Sequence, residues 1–587
     1  MSAVEASIAA PEPWLEIIEG DSPLLLIAPH GGRAGKAPQA TLHPKVNDLH
    51  TAEITRELAA RLDASALINF AMDRNLIDCN RIPQLAERAP WLLEIVAQRL
   101  AAMVERFGRA TVLLVHGWNI IEPRVDFGLG VRTYGRELRP TGSARVSASD
   151  DFINGPLLSL ATKLRAAGIT PTFGLRYPAG GIHNLVQAFT ERHRESPLSP
   201  LSRISAIAAR GVVDAAQLEL SVSVRLLGPF RQRCVEAIAQ TFSGPPQAAA
   251  PSDSNLSIVR TPLASRRVST TAPVRVGMEF YDAACGIGAM ASFDLGTPGF
   301  GARIMMLLGE RRVILCTCEG TTKRDGDRLS LGPLSLAIRG SSLVLEFAGT
   351  AVVVPDGSTY LSIERALATG ILDPRARVTL KVPLSGDGLD PSVLFGHGAP
   401  DSAARNIAPA FSVATGEATL EGRHYSLQAS TRAGVSFTGL GPQKFNERRM
   451  IWALVHGDEQ AQDAIELRRI DGEGETEQQI ARLFSDGSWS TLTLTSLAIE
   501  AGTPESMPHR LEATVAASAG DSFNLLGTPI AFVPLSRPGL NGSRIYTSLG
   551  FGTFKWGTRS ASGMFEYSRR VDPASANDGD GGDSDSD

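Results

Sequence analysis

At 587 residues the chain exceeds what one hydrophobic core fills, about 250 to 300 residues, so at least two domains are expected. An apolar fraction of 43% with 20% charged residues is the balance of a soluble globular protein and excludes wholesale disorder. A formal charge of only −5 supplies no field for nucleic acid or an anionic membrane, which leaves small molecules or proteins as partners.

Residues 1–19 read as an N-terminal extension, with four glutamates, no basic residue and no apolar stretch of the kind a secretory signal needs. No later run reaches about 18 uninterrupted apolar residues, so no membrane span is expected. The five cysteines, at 79, 234, 285, 316 and 318, make no disulfide framework, and a reducing cytoplasm fits them best. Cys316 and Cys318 stand too close for the usual structural zinc pair and read as core thiols.

From 20 to 243, short apolar runs alternate with stretches of helical period. Leu24 to Ala28, Ala66 to Phe70, Thr111 to Val115 and Ile169 to Leu175 read as strands. Ile54, Leu58 and Leu62, then Val96, Leu100 and Val104, recur every fourth residue and predict helices near 50–62 and 91–106. Such alternation is that of β-α-β units on a mostly parallel sheet, an α/β domain. Residues 244–273, rich in Pro, Ala and Ser, read as a flexible linker. Beyond it the period switches to two, as in Arg377 to Val382, with Asp325-Gly326 among the turns. Residues 274–572 are therefore expected to be a large, mainly antiparallel β domain, a sandwich or barrel that could be two packed sub-barrels. Residues 573–587, dominated by Asp, Gly and Ser, read as a disordered acidic tail.

Open α/β sheets carry their chemistry at the carboxyl ends of strands, and two predicted strands run into histidine: Pro29-His30-Gly31-Gly32 and Val115-His116-Gly117-Trp118. One histidine so placed is more often a packed residue, but two in equivalent positions suit a catalytic zinc, which takes three protein ligands and leaves a position open. The third ligand should be a carboxylate. Asp48 and Glu53, at the entry to the first helix, both qualify, although an acidic residue there is also stabilised by the helix dipole alone, and spacing does not choose between them.

These segments together resemble the N-formylglutamate amidohydrolase family, zinc hydrolases distantly similar to aspartoacylases and zinc carboxypeptidases. The resemblance rests on Pro29-His30-Gly31-Gly32-Arg33, on Asn47-Asp48, on Arg74-x-x-x-Asp78-x-Asn80-Arg81, on the strand ending in His116 and on Gln217-Leu218-Glu219. It covers little more than the first 235 residues. The chain departs from the family after His116, where His-Gly-Trp-Asn stands in place of the usual His-Ser. The resemblance implies a zinc-peptidase-like, phosphorylase/hydrolase-like mixed sheet and one Zn2+ held by His30, Asp48 and His116, with His50 as fallback ligand. It also implies Glu219 as general base, and Arg74, Asn80, Arg81 and the loop at Gly180 and Gly181 around a small N-acyl amino acid or short peptide. On the residues alone, Arg74 is equally suited to an internal ion pair with Asp78, Glu219 to an ordinary solvent-facing strand position, and His183 to the surface.

The β half carries no histidines at ligand spacing. Its glycine- and aromatic-rich segment from Tyr546 to Gly557, followed by Glu566 and Tyr567, weakly resembles hydroxyneurosporene-synthase-like, lipocalin-like β proteins that bind apolar ligands. Two readings therefore stand beside the hydrolase: a barrel of isomerase type or one binding an apolar, isoprenoid-like ligand, with the first domain as scaffold, and a degenerate hydrolase kept for binding a partner.

Overall fold

The computed structural model describes residues 13–32, 46–244, 256–259, 274–295, 301–361, 363–384, 410–437, 446–455, 463–472, 476–486, 488–502, 507–516, 522–538 and 543–572. Expectations for residues 1–12, for Arg33, for most of the 244–273 linker and for the 573–587 tail lie outside the described residues.

The first domain is a seven-stranded mixed sheet between two helical layers. Its strands are β1 (Leu15–Ile18), β2 (Leu24–Ala28), β3 (Ser65–Asn69), β4 (Ala110–Trp118), β5 (Arg124–Gly128), β8 (Thr170–Phe173) and β9 (Val213–Ser221), in the order β1-β3-β2-β4-β9-β5-β8. A small sheet of β6 (Val131–Tyr134), β7 (Glu137–Pro140) and β10 (Ser257–Ile258) lies beside it. Strands β3, β2, β4 and β9 run parallel, whereas β1 joins β3, and β5 joins β9, antiparallel. The central strands are buried on both faces, as a parallel sheet covered by helices requires, which is why they read as unbroken apolar runs.

Alternate residues of β2 divide between the layers. Leu26 and Ala28 pack with Ile54, Leu58 and Leu62 of α1 (Thr51–Leu62), and Leu25 and Ile27 with Val96, Leu100 and Val104 of α3 (Pro90–Phe107), which follows the short α2 (Ile82–Arg88). A fully buried leucine such as Leu58 contributes roughly 1.5 to 3 kcal/mol through its burial. A short helix, α4 (Asp150–Phe152), passes through a π turn into α5 (Leu158–Ala166), and α6 (Ser199–Ala208), α7 (Val222–Arg225) and α8 (Pro229–Phe242) complete the layers. Two segments read from sequence as chain outside the domains are built into this one: Leu15–Ile18 is the edge strand β1, and Ser257–Ile258 pairs with β7.

The β half holds two antiparallel sheets. The first has eleven strands among the described residues, of which eight run Arg312–Glu319, Gly301–Leu308, Ile287–Leu295, Val274–Asp282, Arg423–Phe437, Ala410–Leu420, Ile371–Pro383 and Ser342–Val354, and the last of these pairs back to the first through Val313–Val354 to Leu315–Val352. That seam closes a barrel, and Phe280, Phe293, Phe347 and Met306 fill its interior. The second is a nine-stranded sheet between residues 447 and 571. One apolar cluster joins all three parts, from Ile121 and Val222 of the α/β domain through Tyr281 and Leu315 of the barrel to Trp452 and Phe551 of the second sheet. Among the described residues, no helix is long and apolar enough to cross a membrane.

Candidate metal centre and active site

The tight turn after β2 brings His30 toward the start of α1. A Cβ on Gly31 would stand 2.7 Å from the Ala52 methyl, and one on Gly32 would stand 2.4 Å from Met72 O, so only glycine lets the loop lie this close. Asp48 is tied to the same loop, since its backbone N–H donates to His30 O at 2.9 Å and its carbonyl accepts from the Thr51 hydroxyl at 2.7 Å. His116 enters from β4, the neighbour of β2.

The three side chains converge in the interior. Asp48 Oδ2 lies 3.3 Å from His30 Nδ1 and 3.2 Å from His116 Nδ1, and all three ligand atoms lie within 4.8 Å of one another. The two imidazoles meet edge to face with centroids 4.8 Å apart. Ligands at about 2.0 to 2.1 Å on a tetrahedral zinc stand roughly 3.3 Å apart, so the two Asp48 contacts match the edges of such a site.

Proton placement points the same way. His30 Nε2 lies 2.6 Å from Asp78 Oδ1, with both side chains buried, so Nε2 is the nitrogen that donates to Asp78. His30 Nδ1 is the nitrogen turned to the Asp48 carboxylate, at 3.3 Å. A carboxylate on the far nitrogen is also the arrangement that orients metal-binding histidines. Burial lowers the His116 pKa to about 4, outweighing the hydrogen bond to Asp48, so this imidazole is neutral. For Asp48, burial alone would raise the pKa, but hydrogen bonds with His116 and His30 and the electrostatic pull of His30 and Arg74 hold it well below the usual carboxylate range. Two imidazoles and one ionised carboxylate are a donor set that fits zinc.

Glu219 lies beside this group, in parallel register with His116 across β4 and β9. Its side chain is buried and accepts from Gln217 Nε2 at 2.5 Å. Burial first, and the negative charge of Asp48 second, push its pKa well above the ordinary value. Gln217 Oε1 in turn accepts from Asn184 Nδ2 at 3.3 Å, and Asn184 forms a bridge to Arg81, so the loop carrying Gly180 and Gly181 is tied to Glu219 through two amides.

Arg74 sends its terminal nitrogens to protein acceptors: Val46 O at 3.2 Å, Asp48 Oδ1 at 3.4 Å and Asp78 Oδ2 at 3.6 Å. Arg81 caps α2 with its side chain exposed, and Asn80 is buried with its N–H on Asp78 Oδ1. Gly180 packs against Thr141 and Ala144, where a Cβ would collide, while Gly181 is open. Arg74 Nε, Asn80 Oδ1 and His116 Nε2 are buried without a hydrogen-bond partner among the described residues. His50 takes φ +67° at the start of α1, and neither it nor Glu53 belongs to the metal-capable group. His183 is exposed.

Sequence reasoning did not assign three residues of this neighbourhood. Asp78 was open to pairing with Arg74 from spacing, but its contact with His30 spans 48 residues and no local pattern announces it. Arg225 is buried and donates to Leu49 O, Leu220 O, Trp118 O and the Asn119 side chain. It explains the Gly117 departure, because a Cβ there would stand 2.7 Å from the Arg225 guanidinium carbon. Tyr177 donates its backbone N–H to Asp126 Oδ2 at 3.1 Å, and Asp126 is the register partner of Glu219 across β5 and β9.

No protein-family model matches the chain, and no curated protein is similar enough to count as a match. Among solved structures, it is similar to N-formylglutamate amidohydrolase from Ralstonia eutropha JMP134 at 12% identity, over 39% of this chain and 95% of that one, with a TM-score of 0.26. It is also similar to CghA at 11% identity, over 52% of this chain and 90% of that one, with a TM-score of 0.29. Kievitone hydratase from Nectria haematococca is similar at 10% identity, over 51% of this chain and 90% of that one, with a TM-score of 0.27. None of these likenesses bears on the chemistry of the site.

Proposed function

We propose that the α/β domain is a zinc-dependent hydrolase that cleaves the linear amide bond of an N-acyl amino acid, with N-formylglutamate as the family prototype. The observation that carries the reading is the buried convergence of His30, Asp48 and His116, whose ligand atoms lie within 4.8 Å of one another while Asp78 holds the far nitrogen of His30. His30, Asp48 and His116 would hold the zinc, which when bound supplies Lewis acidity, polarising a carbonyl and acidifying water.

The remaining work falls to the protein. Glu219, in register with His116 beside the metal group, takes a proton from the attacking water. As oxygen adds to the acyl carbon and the C–N bond breaks, Glu219 returns that proton to nitrogen, so the products are the carboxylic acid and the free amine. Gln217 orients Glu219. Arg81, whose side chain is exposed, is suited to bidentate recognition of the substrate carboxylate, and the loop at Gly180 and Gly181 forms the lip. With its terminal nitrogens on Asp48 and Asp78, Arg74 orients the metal group.

Metal analysis of the purified chain, with a screen of N-acyl amino acids for amine release in the presence and absence of chelator, tests the reading. It expects about one zinc per chain and release abolished by chelator. Metal-free protein, or release indifferent to chelator, would count against it.

A further inference from the structure

The loop that leaves β4 is docked on the barrel. The N–H groups of Ile121 and Glu122 both donate to Thr317 O, at 3.2 and 3.1 Å, and Thr317 lies in the barrel strand Arg312–Glu319. Arg124 continues the seam, donating to Glu319 O at 2.9 Å and to the Glu122 carboxylate at 2.7 Å. Its guanidinium carbon lies 5.7 Å from the centre of the Trp118 ring.

Glu319 closes this seam against the metal site. The indole N–H of Trp118, two residues beyond His116, donates to Glu319 Oε1 at 3.4 Å. Glu319 Oε2 is buried without a hydrogen-bond partner among the described residues and lies 3.7 Å from Arg176 Nε. Trp118 is 1% exposed and meets Tyr177 edge to face, with centroids 5.9 Å apart. The Tyr177 N–H donates to Asp126 Oδ2 at 3.1 Å, and Asp126 is the register partner of Glu219 across β5 and β9, so Tyr177 stands beside the Glu219 strand; burial, then the charge of Glu219, pushes its hydroxyl up to about 12.

We infer that the β barrel supplies one wall of the metal-site pocket, with Glu319 as the positioning residue that fixes Trp118 and, through it, Tyr177 beside Glu219. Tyr177, 37% exposed, is the face a substrate meets, and Trp118 is its backing. A separate domain thereby sets the shape of a site whose metal ligands and base all come from the first. The kinetic consequence rests on the hydrolase reading, whereas the geometric content does not.

The test compares the full chain with Glu319→Ala, Glu319→Gln and Trp118→Phe, using 15N-indole spectra, zinc content and steady-state kinetics. The Trp118 signal is the one lost in Trp118→Phe. It is expected to move in Glu319→Ala, and to return toward its wild-type position in Glu319→Gln, which keeps an acceptor oxygen. For whichever N-acyl amino acid the wild type turns over, loss of this hydrogen bond is expected to raise KM roughly tenfold with kcat and zinc content little changed. An unmoved indole signal in Glu319→Ala overturns the inference, as does a moved signal with unchanged KM in an active enzyme. Should Glu319→Ala not fold, Trp118→Phe deletes the donor and keeps an aromatic ring, and an unchanged KM there overturns the wall equally. A moved signal in a protein whose wild type releases no amine from any N-acyl amino acid sinks the hydrolase reading and leaves the wall standing.

Discussion

Asp78 accepts a 2.6 Å hydrogen bond from His30 Nε2 with both side chains buried, and this contact decides which nitrogen of His30 faces Asp48 and His116. Replacing Asp78 by Asn keeps the volume and removes the charge. Zinc affinity is expected to fall about ten- to a hundredfold, as for other carboxylates behind a ligating histidine. Competition against a chromophoric chelator measures it, and an affinity equal to wild type would show that the His30 tautomer is set by something else.

Glu219→Gln removes the base and keeps a side chain of similar size next to Gln217. Amine release should fall by about a hundred- to ten-thousandfold, the usual range for losing a positioned general base, with bound zinc unchanged. Parallel loss of zinc would instead make Glu219 a ligand.

Gly117→Ala would place a methyl 2.7 Å from the Arg225 guanidinium carbon and 2.9 Å from the Asp48 Cβ. Overpacking of this kind costs about 1 to 3 kcal/mol. A lowered Tm with weakened zinc binding is expected, because the displaced groups lie on both sides of the site. Unaltered melting would mean that Arg225 swings away freely.

In the β half, Glu466 is 1% exposed and accepts from Arg482 Nε at 2.7 Å and Arg432 Nη2 at 3.3 Å. Burial would raise its pKa, but Arg432, Arg482 and Arg468 outweigh that and hold it below the ordinary value. A carboxylate with a depressed folded-state pKa stabilises the fold above its unfolded value of about 4.3, and that stability is lost as pH falls through the folded value. Glu466→Gln should therefore cost about 3 kcal/mol near neutrality, at the low end for a broken buried pair because the guanidiniums keep some solvent. Denaturant melts of wild type and variant should converge on acidification. A gap that widens in acid would contradict the assignment.

Thiol chemistry should follow burial. Desolvation pushes Cys79 and Cys234 up to about 12, and Cys316 and Cys318 are also buried, while Cys285 is half-buried. A disulfide reagent at about pH 8 should label Cys285 slowly and leave the other four until denaturant is added. Rapid labelling of a second cysteine in the native protein would point to local opening.

The α/β class and the antiparallel β half were legible because period and apolar run length are local properties, and the strand at Leu24–Ala28 and the stripe of Ile54, Leu58 and Leu62 needed no distant partner to be read. His30 and His116 stood out for the same reason, each ending an apolar run. What could not be read depends on residues far apart in sequence. The His30 to Asp78 contact, the Gly117 space filled by Arg225 and the reach of Glu319 to Trp118 arise from packing, not pattern. Arg74 illustrates the middle case, since the Asp78 pairing was open from spacing alone while the additional pairing with Asp48 was not. Leu15–Ile18 was passed over because a short edge strand is too brief to show a period.

The two amides that share Thr317 O give the molecule a built-in reporter. Ile121 and Glu122 can exchange their hydrogens with solvent only when the α/β domain lifts from the barrel strand or when one of the two unfolds locally. Their exchange rates therefore measure the free energy that holds the domains together, separately from the stability of either. If they exchange as slowly as the amides at the centre of β4, domain separation costs as much as unfolding, and the chain behaves as one cooperative body despite its two architectures.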